Sequence, residues 1–197
     1  MSTNNLKVSA IGQAVYPHLQ VPDTKFDSDG VYNCKLMVKI EDATQMIADI
    51  ENACNELATR IAKQKNKNVK KHLPYENNND GYVTFTFKVK ASGKNNTTQE
   101  VFHRRIVVMD SNKKPLSEET RIWSGSTLKI AYIMREWATD AQGVGIQLQP
   151  KAVQVIKLVT SDTNKNSSLS DLFEETDGFS QDELDDQELI DSAKGDF

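Results

Sequence analysis

The sequence predicts a mainly β fold, and two patterns carry that prediction. Apolar and polar residues alternate in several short segments, which is the two-residue period of a strand with one face in a core. Residues 43–64 alone show the longer period of an extended amphipathic helix. Strands therefore dominate and do not alternate with helices, which argues against a doubly wound parallel sheet.

The clearest strand is predicted over residues 82–90, directly after the turn-forming run NNNDG at residues 77–81. Its core face is predicted to comprise Val83, Phe85, Phe87 and Val89. A second strand is predicted over residues 31–40, with a core face of Tyr32, Cys34, Leu36, Val38 and Ile40. In both segments lysines occupy alternate positions, so each strand is expected to turn a basic face outward.

One helix is predicted over residues 43–64, with Asp42 as its N-cap. Its apolar face comprises Met46, Ile47, Ile50, Cys54, Leu57 and Ile61. The basic stretch at its end is either a phosphate-contacting arm or a solvated helix end, and it holds Lys63, Lys65, Lys67, Lys70 and Lys71.

Four further strand segments are predicted, at residues 6–16, 100–109, 122–137 and 143–158. Pro17 is expected to stop the first, and the second is expected to pair with the 82–90 strand as a hairpin. Gly125 suits a bend or bulge in the third, and Pro150 is expected to interrupt the fourth. Five to seven strands with one inserted helix favour a small antiparallel barrel, and the OB-fold is the most economical barrel of that size.

Charge divides the chain into a basic body and an acidic tail. Residues 170–197 contain eleven Asp/Glu and one basic residue, Lys194, whereas residues 1–169 contain 23 Lys/Arg and 17 Asp/Glu, a net charge of +6. We expect a folded domain over residues 1–159, a flexible linker over 160–169 and a disordered acidic tail over 170–197. As a random coil the tail would span about 30 Å, enough to reach a basic surface of its own body and compete there with phosphates.

Several function classes are not supported by the sequence. The three histidines, His18, His72 and His103, lie in different segments, and no zinc-binding spacing occurs, so neither an enzyme nor a metal or cofactor site is expected. Glu118 is the sort of acid a hydrolase would need, but nothing nearby supports catalysis. No signal peptide or membrane span is predicted. Cys34 and Cys54 are expected to be buried free thiols.

Outward-facing aromatic and basic residues instead favour binding of single-stranded nucleic acid. Bases stack on aromatic rings while cations track phosphates, so little sequence preference is expected. The candidate DNA-binding residues are Lys35, Lys39, Tyr82, Lys88, Lys90, Arg104, Arg105, Trp123, Lys129, Arg135 and Trp137. Each has an alternative role, since the lysines could simply solvate a sheet face and the tryptophans could pack under loops or in an interface.

The chain resembles the bacteriophage single-stranded DNA-binding proteins that combine one OB-fold with an acidic tail ending in Phe. Residues 30–39, residues 123–137 followed by GVGIQL and AVQVI, and the terminal Gly195-Asp196-Phe197 carry the resemblance. It implies binding of single-stranded DNA in replication and recombination, in the cytoplasm of the infected bacterial host, and homodimers in part of the family.

The resemblance also implies that the tail recruits replication proteins, namely polymerase and primase-helicase. The partner-binding residues would be Asp185, Asp186, Glu188, Asp191, Asp196 and Phe197. A merely solubilising tail is one alternative. Another is a DNA-mimicking interaction or inhibitor module, in which the tail blocks a nuclease or polymerase and the body only docks.

Overall fold

The computed structural model describes residues 6–65, 68–78, 80–95, 98–117 and 119–159. These residues form one helix, α1 (Ile40–Lys65), and eleven strands. The strands are β1 (Lys7–Val8), β2 (Gly12–Asp23), β3 (Val31–Lys39), β4 (Lys71–His72), β5 (Tyr75–Asn77), β6 (Tyr82–Lys90), β7 (Ser92–Lys94), β8 (Val101–His103), β9 (Val107–Met109), β10 (Thr127–Thr139) and β11 (Gly143–Lys157). The prediction of a mainly β fold with one helix is confirmed.

Five strands close a ring in the order β2, β3, β6, β11, β10 and back to β2. All contacts in the ring are antiparallel except that of β6 with β11, which is parallel and runs through the pair Phe87 and Leu148. This seam makes the ring irregular. Three short strands flank it, β5 on β6 and β4 and β9 on β11. A ring of five strands fits the predicted OB-type barrel, and helix α1 is inserted between its second and third strands, β3 and β6.

The ring encloses the core that the alternating pattern predicted. Phe85, Phe87 and Leu36 are fully buried, and so are Ile130 and Tyr132 from β10. Phe87 and Tyr132 meet edge to face with 5.4 Å between ring centroids, a favoured aromatic geometry. Each such side chain contributes about 1.5–3 kcal/mol through burial. The core therefore fixes which residues of β3 and β6 face outward.

Helix α1 packs against β3, β6, β10 and β11 with a face of Ala43, Met46, Ile50, Cys54 and Leu57. Both cysteines are buried free thiols, as predicted. Burial raises the pKa of the Cys34 thiol to about 12, so this side chain remains protonated at neutral pH.

The helix starts earlier than predicted. It begins at Ile40, so Asp42 lies in its first turn and is not the N-cap. Ile40 is 43% exposed and does not continue the core face of β3, because the chain turns into the helix at this residue. Glu41 and Asp42 in the first turn complement the positive end of the helix dipole.

Pro17 does not end a strand, contrary to prediction. Strand β2 continues to Asp23, and its register with β3 shifts between Val15 and His18. Because a bulge leaves a residue outside the ladder, the missing N–H of proline costs no ladder hydrogen bond there. Tyr16, at the same bulge, adopts a left-handed backbone with φ of 48°.

The predicted hairpin between residues 82–90 and 100–109 is wrong. Strand β8 pairs with β7 in a separate two-stranded sheet, and β9 pairs in parallel with β11. The partner was missed because Ser92, Gly93 and Lys94 lack the branched or aromatic side chains typical of strands.

Strand β10 begins at Thr127, later than the predicted start at residue 122. Gly125 lies in a turn with φ of 89°, in which the N–H of Ser126 donates to the carbonyl oxygen of Trp123. Strand β11 runs through Pro150, which pairs with Tyr132 beside a register shift, so the predicted interruption does not occur. Within the described residues, no helix has the length and apolar character needed to cross a bilayer.

Candidate nucleic-acid interface

Strands β3 and β6 place their polar side chains on one outer surface. In the antiparallel register Lys39 lies opposite Tyr82, Lys35 opposite Thr86, and Asn33 opposite Lys88. Lys35 and Lys88 are therefore diagonal neighbours near the middle of this surface, and both line one depression.

A depression of about 700 Å³ joins β6 to the end of the β10–β11 hairpin. Thr86 and Lys88 line it from β6, and Arg135 and Trp137 line it from β10. Arg135 reaches this place because it lies opposite Gln147 on β11, next to the seam of the ring. The barrel thus brings together cations that are distant in sequence.

Trp137 has one side fixed by its neighbours. Its ring lies 5.6 Å from the ring of His72, and the His72 Nε2 lies 2.9 Å from the carbonyl oxygen of Gln142. A Cβ atom at residue 145 would lie 2.5 Å from Cζ2 of Trp137, so only glycine there permits this close packing. The ring is half-buried and still lines the depression.

A second depression, of about 580 Å³, continues from Arg135 to Arg104, Lys90 and Lys94. The Arg104 guanidinium lies 3.9 Å from the ring centroid of Phe102 and donates to the carbonyl oxygen of Lys90 at 3.0 Å. Burial, and then the nearby charge of Arg135, lower the pKa of Arg104. The two like charges therefore generate a positive potential at this end.

A third depression, of about 450 Å³, lies on the other side of Lys88 and holds Phe26, Asp27 and Lys35. Phe26 is 89% exposed, and the Lys25 Nζ lies 5.3 Å from its ring centroid. The three depressions share residues, and together they form a surface that we call the basic groove. Its principal side chains are Phe26, Lys35, Lys88, Lys90, Arg104, Arg135 and Trp137.

The cations of the basic groove differ in what neutralises them. Lys90 Nζ lies 3.1 Å from a carboxylate oxygen of Asp27 and 3.5 Å from one of Asp29. The Asp27 hydrogen bond raises the pKa of Lys90, and reciprocally lowers the pKa of Asp27. Among the described residues, no carboxylate lies within ion-pair distance of the other four principal cations, Lys35, Lys88, Arg104 and Arg135.

The other candidate residues do not line the basic groove. Tyr82 and Lys39 occupy the far end of the β3–β6 pair, where Lys39 Nζ is 3.7 Å from a Glu41 carboxylate oxygen. Lys129 is six residues from Arg135 along β10, or about 20 Å at ~3.3 Å per residue. Trp123 lines a separate cleft, and Arg105 is exposed between β8 and β9.

Several basic side chains in the last turns of the helix and just after it are bound within the fold. Arg60 pairs with Glu136, Lys65 pairs with Asp140, and the Lys71 ammonium donates to the Asn55 side chain. Lys67 lies outside the described residues, as do Glu118 and the six partner-binding residues predicted in the tail.

Sequence reasoning missed Phe26, Phe102, Lys94 and Gln147. A signal existed for Phe26, which is a single aromatic residue in the polar segment DTKFDSDG between two strands. Phe102 and Lys94 were missed together with the β7–β8 pair. Within the described part of the chain, no group of three or more His, Cys, Asp or Glu side chains is arranged to hold a metal ion.

Comparison with known proteins identifies the family. A family model described as single-stranded DNA-binding protein, bacteriophage T7, matches residues 11–158. The single-stranded DNA-binding protein of Escherichia phage T7 is 32% identical over 126 residues, which are 63% of this chain and 54% of the relative. That of Enterobacteria phage T3 is 38% identical over 90 residues, 45% of this chain and 38% of the relative. The matches therefore span about half or less of these curated relatives.

Solved structures agree with this assignment. The crystal structure of gp2.5, a single-stranded DNA-binding protein encoded by bacteriophage T7, matches with a TM-score of 0.71 and 27% identity, covering 89% of this chain and 98% of that one. The single-stranded DNA-binding protein of bacteriophage Enc34, solved with ssDNA, matches with a TM-score of 0.58 and 14% identity, covering 80% and 89%. The latter bears on the fold alone.

The expectation that the chain is not an enzyme agrees with the family's description, which is that of a binding protein. The resemblance read from the sequence is confirmed for the body of the chain. Since the family model matches well over half of the residues, this chain belongs to the family of single-stranded DNA-binding proteins represented by that of bacteriophage T7.

Proposed function

We propose that the basic groove binds single-stranded DNA without sequence preference. The observation that carries this proposal is that four cations and two aromatic rings lie on one surface, and that the cations have no ion-pair partner among the described residues. These side chains are Lys35, Lys88, Arg104, Arg135, Phe26 and Trp137. Family membership supports it, since the T7 and T3 relatives are named single-stranded DNA-binding proteins.

The chemistry of the groove fits a single strand better than a duplex. Unpaired bases can turn their faces toward Phe26 and Trp137, and stacking of this kind contributes about 1–3 kcal/mol per base. The cations would follow the phosphates alongside. Every base has a π-face, so stacking accepts all sequences.

The test is a titration of the full chain with oligo-dT at several salt concentrations, with tryptophan fluorescence as the binding signal. Single-strand binding releases about 0.7 counterions per phosphate contact, so four contacts predict a slope of about −3 for log K against log salt. An affinity that does not change with salt would remove the proposal. Absence of binding would favour the DNA-mimicking interaction or inhibitor module instead.

The acidic residues at positions 170–197, which lie outside the described residues, are proposed to compete with DNA for the groove. The support is charge, because a tail of net charge −10 is tethered to a body of net charge +6. Tethering by the linker at 160–169 gives such a tail an effective concentration on the order of millimolar. Deletion of residues 170–197 should therefore tighten binding of oligo-dT, and unchanged or weaker binding would contradict the competition.

The tail is also proposed to recruit replication proteins, a polymerase and a primase-helicase, in the cytoplasm of the infected host. Its support is the interspersed apolar residues and the terminal Phe197. Phe197→Ala should abolish co-precipitation of the phage polymerase while leaving oligo-dT affinity unchanged. Homodimer formation is proposed from the family resemblance, and sedimentation equilibrium of the full chain tests it.

A further inference from the structure

A further concavity, of about 550 Å³, lies between β2 and residues 121–124. We call it the Trp123 cleft. Its principal side chains are Tyr16, His18, Val21, Lys25, Arg121 and Trp123. Tyr16 is 74% exposed and Trp123 is 42% exposed, so both rings offer surface to a ligand.

The walls of the Trp123 cleft are held together by hydrogen bonds between residues a hundred positions apart. The N–H of Tyr16 donates to Ser124 Oγ at 2.9 Å, and the N–H of Ile122 donates to Gln20 Oε1 at 3.1 Å. The Gln20 amide also donates to the carbonyl oxygen of Thr120. The two walls therefore form one preorganised unit.

Tyr16 itself adopts an unfavourable conformation at the edge of the cleft. Its φ of 48° is in the left-handed region, which costs a residue other than glycine about 1 kcal/mol or more. The β2 bulge and the hydrogen bond to Ser124 maintain that conformation. Because the resulting phenol ring is exposed, the backbone strain contributes nothing to packing and is of the kind found at binding sites.

The residues of the cleft select a ligand that is planar, apolar on its faces and negatively charged. Tyr16 and Trp123 supply the aromatic surface, while Arg121 and Lys25 supply positive charge. Asp23 also lines the cleft, where its Oδ1 accepts the N–H of Lys25 at 2.9 Å, but the two cations outnumber this one carboxylate. A nucleotide meets these requirements, its base stacking and its phosphate pairing with a cation.

The Trp123 cleft and the basic groove meet at the loop after β2. Asp23 lines both the cleft and the depression that contains Phe26 and Lys35, and Lys25 reaches from the cleft toward the Phe26 ring. We propose that the Trp123 cleft binds a further nucleotide of the same strand that occupies the basic groove. This inference rests on the proposed function, and it extends the strand's path past Phe26.

The two tryptophans of the chain make the proposal testable one site at a time. In the full chain, Trp137→Phe leaves Trp123 as the reporter, and Trp123→Phe leaves Trp137. Each variant is titrated with oligo-dT of about 6 nucleotides, near the lower limit of about 4–16 for single OB-folds, and of about 20 nucleotides, above that range. The shorter oligonucleotide should quench Trp137 alone, and the longer should quench both at one oligonucleotide per chain.

Each other result has a distinct meaning. If the longer oligonucleotide quenches Trp137 alone, the cleft is not a nucleotide site, although the groove proposal stands. If the shorter one quenches both tryptophans equally, or quenches Trp123 as a second equivalent, the same-strand path is wrong. If neither tryptophan responds and no binding is detected, the proposed function fails first.

A Tyr16→Asn variant gives an independent readout, since asparagine tolerates the left-handed backbone but cannot stack as tyrosine does. Its affinity for the longer oligonucleotide should fall about tenfold, with no change for the shorter. Ile156→Ala, an exposed apolar residue outside both sites, is the matched control and should leave both affinities unchanged. If Tyr16→Asn lowers the affinity for both oligonucleotides equally, the cleft proposal is wrong.

Discussion

Two basic regions of the molecule differ in what surrounds their charges. In the basic groove, Lys35, Lys88 and Arg135 have no carboxylate within ion-pair distance among the described residues. At the end of the helix Lys65 pairs with Asp140, and just beyond it Lys71 donates to the Asn55 side chain. The helix end is denser in lysine, yet Lys65 and Lys71 are already bound to other side chains of the fold. A surface is suited to an anionic ligand when its cations have no partner within the fold, and this matters more than how many cations lie close together.

The strongest test of this difference removes two cations from each region. Lys88→Ala with Arg135→Ala should weaken oligo-dT binding about tenfold or more and reduce the salt slope by about 1.4, because two phosphate contacts are lost. Lys65→Ala with Lys71→Ala, which removes the same charge, should leave affinity within about twofold. Fluorescence titration across salt concentrations measures both. Equal losses in the two variants would mean that net charge alone determines binding.

A smaller effect is expected from the glycine beneath Trp137. Gly145→Ala would place a methyl group 2.5 Å from the Trp137 ring and 2.8 Å from the carbonyl oxygen of His72. We expect about 1–3 kcal/mol of lost unfolding free energy in urea denaturation, because the ring must shift. Gly81→Ala is a useful comparison, since no atom lies within 4 Å of its Cβ position and its cost comes from the positive φ alone. If Gly145→Ala costs no more than that, Trp137 is not held by close packing.

The smallest effect concerns the one groove lysine that resembles those of the helix end. Asp27→Asn with Asp29→Asn should free Lys90, raise affinity about two- to threefold and steepen the salt slope by about 0.7. The same double substitution in a Lys90→Ala background should have a smaller effect. Unchanged affinity in both backgrounds would mean that Lys90 does not contact the strand.

The ion pair of Asp27 with Lys90 should also remain intact over the usual pH range. The lowered pKa of Asp27 means that its contribution to stability is present above about 3.8 and lost as pH falls through the lower folded-state value. The raised pKa of Lys90 means that its contribution is present below about 10.5 and lost as pH rises through the higher folded-state value. Affinity should therefore not change through this pair between about pH 5 and 9, as titrations in matched ionic strength would show.

The local pattern predicted the parts of the fold that depend on alternation. Strand β6 has the predicted bounds, and its predicted core residues are all buried. Pairing between distant segments was harder to predict, because β7 has no strand-forming composition and because a bulge accommodates Pro17. Alternation alone placed Lys35 and Lys88 on the outward faces of their strands, whereas their common surface depends on the pairing of β3 with β6. The ion pairs of Lys65 and Lys90 could not be predicted, since Asp140 is 75 residues away and Asp27 reaches Lys90 through a loop.

The seam between β6 and β11 affects how copies of this protein behave when they are crowded together. Proteins lined up along one strand meet at high local concentration, and an exposed strand edge is a template for pairing with a neighbouring chain. At this seam three strands of two or three residues, β4, β5 and β9, occupy edges that the ring leaves open. Strands this short satisfy the backbone locally while offering little length for another chain to extend. The irregular closure of the barrel thereby lowers the risk of edge-to-edge aggregation.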